Sequence, residues 1–198
     1  TRTIRPFMDG DESPEKSAIF HSINAGKQMV TIDLTKPEGR EVILDLVRWA
    51  DVVTESFSPR VMKALGLDYA TLREIKPDII MMAMSGFGSS GEYADFPPFG
   101  SSVETMTGIT SLMGYPGGAP MTSAVAYPDP IAALNGASAL MTALWQRRRT
   151  GKGQFIDLAL SEGPVTQIGE FILAYSRNKK QPELVGNGHD KFAPYGSY

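Results

Sequence analysis

The chain has 198 residues, 42% of them hydrophobic, which is enough to bury one good core and too little to expect two. It contains no cysteine, so disulfide frameworks and thiolate metal sites are excluded. The 19 basic and 22 acidic residues leave a formal charge of −3. That gives no global field for nucleic acid or an anionic membrane, and an anionic ligand must be held by local groups.

Charges interrupt every long apolar segment, so nothing reads as a membrane span or signal peptide and the expected setting is cytoplasmic. The chain opens on Thr1 and closes on Gly196-Ser197-Tyr198 after a polar loop. A fragment of a longer protein is the expectation.

In chain order, residues through Ile23 are polar, broken by Pro6, Gly10 and Pro14, and read as an extended surface segment. Gln28 to Leu34 is β-rich and reads as a strand, after which Thr35-Lys36-Pro37-Glu38 offers a capping box with a proline in the first turn. A helix follows, with Val42, Ile43, Leu46, Val47 and Ala50 on one face. Asp51 to Glu55 is a second strand. Ser58-Pro59 opens a helix that Gly66 stops, and Asp68 opens another that carries Leu72 and Ile75 inward and ends at Pro77. The run Ile79 to Met84 has no alternation, the mark of a strand buried on both faces of a parallel sheet. Ser101 to Met113 is expected to be helical. Then come a short apolar strand to Tyr127, a helix from Asp129, a strand from Phe155 to Leu160, and a last helix with Val165, Ile168, Ile172 and Leu173 as its stripe. The alanine-rich Asp129 helix is expected to turn Ile131, Ala133, Leu134, Ala137, Leu140, Met141, Leu144 and Trp145 inward. The β-α-β-α-β order predicts an α/β fold with an open, mostly parallel, doubly wound (Rossmann-like) sheet.

Few residues invite chemistry. Gly86-Phe87-Gly88-Ser89-Ser90-Gly91 matches a dinucleotide fingerprint in letters, but the helix that should open on its third glycine is replaced by the acidic, proline-broken segment Glu92 to Pro98. The loop lies at the carboxyl end of a parallel strand, where it either shapes a ligand pocket or is an ordinary tight turn. Asp129, followed by Pro130, fits an N-cap. The same place would use helix-end amides and the macrodipole to keep a carboxylate ionised, as a nucleophile requires. Arg147-Arg148-Arg149 before Thr150-Gly151-Lys152-Gly153 is explained by a helix C-terminus, with a polyanion site as the minor alternative. His21 and His189 are the only histidines, far apart, and no metal site is expected.

The ordered landmarks resemble the class III CoA-transferases, the CaiB/BaiF family of formyl-CoA transferase and carnitine CoA-transferase. They are Asn24-Ala25-Gly26-Lys27 before Thr31-Ile32-Asp33-Leu34, Pro37-Glu38-Gly39-Arg40, Ala50-Asp51-Val52-Val53 leading to Glu55-Ser56-Phe57-Ser58-Pro59, and Leu65-Gly66-Leu67. Further on stand Ser85-Gly86-Phe87-Gly88, the glycine turn before Ala119-Pro120, Arg149 to Gln154, and Ala193-Pro194-Tyr195-Gly196. The resemblance implies that residues 1–198 form one α/β domain, an incomplete family large domain lacking an N-terminal βα unit and a C-terminal small domain. It implies that Asp129 is the catalytic carboxylate, forming an aspartyl-acyl anhydride and then an aspartyl-CoA thioester. It further implies that CoA lies along Asn24, Lys27, Ser56, Phe57 and Arg60, with Gly86, Phe87, Gly88, Phe99 and Gly100 shaping the substrate pocket. A strand-end cap and a core ring are the structural alternatives for Ser56 and Phe57. Acyl-CoA and a carboxylic acid are then the substrates, no cofactor is bound, neither nucleic acid nor membrane is a partner, and the full-length protein is an interlocked homodimer.

This sequence departs from the family pattern at Ser56, where Asn is common, and at Gly100, where an acidic or polar residue is common. The related α-methylacyl-CoA racemases share the fold but add a histidine near the Phe99-Gly100 segment, and racemase is the alternative activity. A non-catalytic acyl-CoA-binding module, in which Asp129 only caps its helix, is the other.

Overall fold

The computed structural model describes residues 2–189 and 191–197, and it divides into two compact units, one within residues 1–39 and the other within 40–198. In the first, single turns of 3-10 helix at Met8–Gly10 and Pro14–Lys16 precede α1 (Ala18–Ile23). Ser17 caps α1: its hydroxyl accepts from the Phe20 N–H at 3.3 Å and donates to the Ile4 carbonyl at 2.6 Å. The strand expected at Gln28–Leu34 does not form; the segment before Leu34 is coil with Met29 and Val30 exposed. A β-rich run becomes a strand only beside another strand, and this one has no ladder partner among the described residues.

The second unit is built around a three-stranded, all-parallel open sheet in the order β1 (Val52–Glu55), β2 (Ile80–Ala83), β3 (Phe155–Asp157). Val52 pairs with Ile80, and Met81 with Phe155. All four residues of β2 are buried, as its unbroken apolar run predicts. Full burial of a side chain such as Ile80 contributes about 1.5–3 kcal/mol. The pairing continues past β3, where the N–H groups of Leu158 and Leu160 donate to the Ala83 and Ser85 carbonyls, so the strand expected to Leu160 keeps its ladder while bending out of ideal geometry.

Four helices flank the first two strands and the loop after β2. They are α2 (Pro37–Trp49), α3 (Pro59–Ala64), α4 (Tyr69–Ile75) and α5 (Gly100–Met106). The buried positions of α2 are Leu44 and Val47, while Val42 and Leu46 of the expected face remain exposed. Asp68 caps α4 through the Thr71 N–H at 3.2 Å and seats Leu72 in the core. The helix expected over Ser101–Met113 is two pieces. α5 ends near Gly108, whose φ of +89° a left-handed turn demands, and Ile109–Leu112 continues as 3-10 helix.

The long helix α6 (Pro128–Thr150) packs on β2 by its small residues. Ala132, Gly136 and Ala143 are buried, and a Cβ at Gly136 would stand 3.2 Å from the Met82 thioether. Leu134, Met141 and Trp145, expected inward, are 60–71% exposed. The expectation fails because close approach to a sheet favours the face with no bulk, not the face with most apolar area. α7 (Glu162–Gln167) and α8 (Gly169–Asn178) follow as two helices broken at Ile168, where a single helix is expected. α8 buries none of its residues, so the inward stripe expected at Ile172 and Leu173 is not found. Among the described residues, no helix is long and apolar enough to cross a membrane.

Candidate active site

Asp129 sits in the first turn of α6, one residue inside the helix start at Pro128, and not at the N-cap, which is Tyr127. It therefore does not cap its helix. The expected strand before it is also absent: residues 121–126 are loop, with Ala126 in the left-handed region at φ +48°. Of the helix-end amides, only its own N–H favours the ionised carboxylate. Pro128 and Pro130 carry no N–H, while the Asp129 N–H donates to the Ala126 carbonyl at 3.1 Å and the Ile131 N–H to the Tyr127 carbonyl at 3.2 Å. Apart from the Asp129 N–H, which also faces its own carboxylate, no donor of the first turn is left for an anion. Burial of the carboxylate, opposed by its own backbone N–H, raises its pKa above the ordinary carboxylate value.

That burial has a local source. Asp129 is exposed as a residue, but its carboxylate lies against the backbone of Gly100, the first residue of α5. A Cβ at Gly100 would overlap Asp129 Oδ2 and stand 3.1 Å from the Ala126 Cβ. A glycine here leaves the carboxylate its space. Phe99 precedes it and is 82% exposed.

One turn further along α5, Glu104 is fully buried. Its Oε1 accepts from the Ser123 N–H at 2.6 Å, and its Oε2 accepts from the Ser123 hydroxyl at 2.5 Å and the Tyr127 N–H at 3.3 Å. Sequence reasoning assigns Glu104 nothing. The available signal is that it is the only charged residue between Asp95 and Asp129.

At the carboxyl end of the sheet a cavity of about 150 Å³ is lined by Ser56 and Phe57 from the end of β1, Ser85 and Gly86 from the end of β2, and Phe96, Pro97 and Pro98. Ser85 lines it, and its hydroxyl is buried without a hydrogen-bond partner. Phe57 is half exposed and is not a core ring, and its N–H donates to Glu55 Oε2 at 2.7 Å. Burial raises the Glu55 pKa, the Phe57 N–H opposes that, and the nearby negative charge of Asp157 adds to it. Gly86 is in close contact with Pro98, whose ring a Cβ would penetrate. Since Pro98 is two residues from Gly100, their Cα atoms lie within about 7 Å, and the same short segment walls the cavity and abuts Asp129.

The other half of the glycine loop faces elsewhere. The Ser89 N–H and hydroxyl donate to the Asp157 carboxylate at 3.0–3.1 Å, so an anion already occupies the amide of that turn. Phe87 packs against Tyr93 at a tilt and against Phe96 edge-on, with ring centroids 5.7 and 5.9 Å away. Arg60 is exposed and ion-paired with Asp95. In the N-terminal unit, Lys27 Nζ donates to Asn24 Oδ1 at 3.1 Å and to the Ile23 carbonyl at 2.9 Å, while Asn24 Nδ2 donates to the Phe20 carbonyl at 2.9 Å. Eight of the expected residues thus fall into three groups: Asp129 with Gly100 and Phe99, the cavity with Ser56, Phe57 and Gly86, and the Asn24–Lys27 pair; Arg60, Phe87 and Gly88, the last beside Asp157, lie outside them.

The sequence profile described as CoA-transferase family III matches residues 1–198. The chain is 36% identical over 191 residues to a succinate–glutarate CoA-transferase of Agrobacterium fabrum, covering 96% of this chain and 48% of that protein. It is 34% identical over 196 residues to an acetyl-CoA:oxalate CoA-transferase of Acetobacter aceti, covering 98% and 49%. The crystal structure of a CaiB/BaiF family protein from Brucella suis superposes with a TM-score of 0.89 at 37% identity, covering 99% of this chain and 52% of that one. The chain spans about half the length of the curated relatives it matches. Profile, relatives and superposition agree over nearly every residue, and the chain belongs to CoA-transferase family III.

Proposed function

We propose that the full-length protein moves CoA between carboxylic acids, with Asp129 as nucleophile and residues 1–198 as part of its large α/β domain. The observation that carries this is the Asp129 carboxylate itself: accessible, held against Gly100, and paired with no cation among the described residues. A structural carboxylate is normally committed to a cap or an ion pair. A raised pKa also marks a carboxylate whose negative charge is poorly solvated and so more reactive.

The carboxylate attacks the thioester carbonyl of the donor acyl-CoA and expels CoA thiolate, leaving an acyl-aspartyl anhydride. The thiolate then attacks the Asp129 carbonyl of that anhydride, releasing the donor acid and leaving an aspartyl-CoA thioester. The acceptor carboxylate displaces the thiolate again to give a second anhydride. Attack of the thiolate on the acceptor's carbonyl returns Asp129 and yields the new acyl-CoA. Every bond broken resembles the bond formed, so a single carboxylate suffices and no bound cofactor is needed.

The cavity beside Gly86 is smaller than the roughly 300–1,000 Å³ of sites for drug-sized ligands. It suits the acyl or thioester end of a CoA ester, with Ser56, Phe57 and Ser85 in its lining. Relatives act on succinate, glutarate and oxalate, as their names state, and short carboxylic acids are the substrate class proposed here. A racemase needs a base beside the thioester. The absence of any histidine between His21 and His189 favours transfer.

The test incubates the full-length protein with a panel of short acyl-CoAs, traps with hydroxylamine or borohydride, and locates the modification by mass spectrometry. Modification at Asp129 that depends on acyl-CoA is expected. Turnover unchanged in Asp129→Ala would refute the nucleophile.

A further inference from the structure

We infer that Glu104 is a positioning residue for Asp129, its buried carboxylate clasping the loop that aims the nucleophile. This rests on the nucleophilic role proposed for Asp129. All three hydrogen bonds that the Glu104 carboxylate accepts come from one five-residue stretch, at Ser123 and at Tyr127. Between those two anchor points lies Ala126, held at a positive φ that a residue with a Cβ adopts only under constraint. Asp129 follows two residues beyond the second anchor.

α5 therefore meets the nucleophile twice from one face. Gly100 lies against the Asp129 carboxylate, and Glu104, four residues on and so on the same side of the helix, fixes the backbone that carries it. A fully buried carboxylate is an expensive way to hold a loop, and an apolar side chain would serve stability as well or better. What an apolar side chain cannot do is accept from two backbone N–H groups four residues apart and so set the approach of the residue that follows.

Glutamine separates the two roles. It keeps the shape but has one acceptor oxygen and one NH₂ in place of two oxygens. Whichever way the amide turns, one backbone N–H, at Ser123 or at Tyr127, faces a donor and loses its partner.

The experiment measures single-turnover acylation of Asp129 at saturating acyl-CoA in the full-length protein, alongside the KM for acyl-CoA and the thermal midpoint. The variants are Glu104→Gln, Glu104→Ala, Ser123→Ala, Glu104→Ala with Ser123→Ala, and Leu72→Ala as a remote core-loosening control. Misplacing a reacting group by about 1 Å costs on the order of 10²-fold in rate. Expected are a loss of about 10²-fold for Glu104→Ala, about 10-fold for Glu104→Gln and a few-fold for Ser123→Ala, with KM within about 2-fold of wild type. The double variant should lose little more than Glu104→Ala alone, because the hydroxyl has then already lost its acceptor and keeps only the 3.3 Å bond it accepts from the Val125 N–H.

Leu72→Ala should lower the midpoint without slowing acylation measured below it. Acylation at the wild-type rate in Glu104→Gln and Ser123→Ala overturns the inference while leaving the nucleophile intact. So does a rate that falls in proportion to lost stability across the whole set, Leu72→Ala included. A wild-type protein whose Asp129 takes no label from any donor overturns the nucleophile, and this inference with it.

Discussion

The two ends of α6 each carry a charge of the sign that the helix macrodipole favours, yet the fold treats them oppositely. At the C-terminal end the chain commits its charge fully. Arg147 donates to the Asp51 carboxylate at 2.7 Å and the Asp51 carbonyl at 3.1 Å, stands 3.8 Å from Asp78, and lets Gly151 close the helix on its own carbonyl. At the N-terminal end, two prolines delete amides that would otherwise bind an anion, and the remaining N–H groups bond the backbone, only that of Asp129 also serving its own carboxylate. Asp129 is left with a raised pKa and a glycine for a neighbour. The arginine ties the helix to the sheet. The carboxylate is kept out of the bonding that would make it inert.

The sharpest way to break this contrast is to remove the reactive end. Asp129→Asn is expected to abolish CoA transfer by roughly 10³-fold or more while CoA binding persists, because an amide cannot form the anhydride. Steady-state turnover and CoA affinity measured together check this; near-wild-type turnover would make the N-terminal end as inert as the C-terminal one. Next in size, Gly100→Ala places a methyl where Asp129 Oδ2 stands. Turnover should fall about 10²-fold as the carboxylate is pushed off its line, with the overpacking itself costing about 1–3 kcal/mol of stability. A rate unchanged by that methyl would show that the close approach serves packing alone.

How much of this contrast could be read from letters differs between the two ends. Gly151 and the three arginines announce a helix C-terminus, and the structure has one there. The unbroken run of β2 likewise announces a strand buried on both faces. At the other end, Asp129-Pro130 has the pattern of a cap, and the structure shifts the helix start back to Pro128, turning the supposed cap into a first-turn residue. One residue of register decides this, and it depends on Ala126 and on Glu104, residues that local pattern cannot link to it. The family's ordered landmarks singled out Asp129 where local rules favoured a cap, because they draw on the whole chain. The inward faces of α6 and α8 escape the sequence for a related reason: periodicity marks an apolar stripe but not which other element, if any, covers it.

A smaller effect tests the committed end. Arg147→Met keeps the aliphatic stem and removes the ion pair, and should lower the thermal midpoint by a few degrees with the rate of Asp129 acylation unchanged. The pH dependence has a definite sign. The hydrogen bond from Arg147, with its charge, holds the Asp51 pKa below the ordinary value. Stability from this pair is therefore fully present above the pKa of unfolded Asp51 and is lost as pH falls through the depressed folded value. Melting curves across the acid range should show that loss in the wild type and a weaker one in Arg147→Met. Slower acylation in this variant would couple the two ends and end the division of labour.

The smallest effect is the most discriminating. Asp129 has its pKa raised by burial, so the folded state holds its proton more tightly than the unfolded state does. The ionised side chain then costs stability, in full above the folded pKa, and the cost disappears as pH drops below the unfolded value. Asp129→Asn should accordingly melt slightly above the wild type at neutral pH, by less than Arg147→Met falls below it, with the gap closing toward acid. A helix-capping aspartate behaves in the opposite way, since losing its charge removes a favourable interaction with the helix end. A neutral-pH midpoint that falls in Asp129→Asn would mean that the carboxylate is stabilising its helix after all, and both ends of α6 would then be structural.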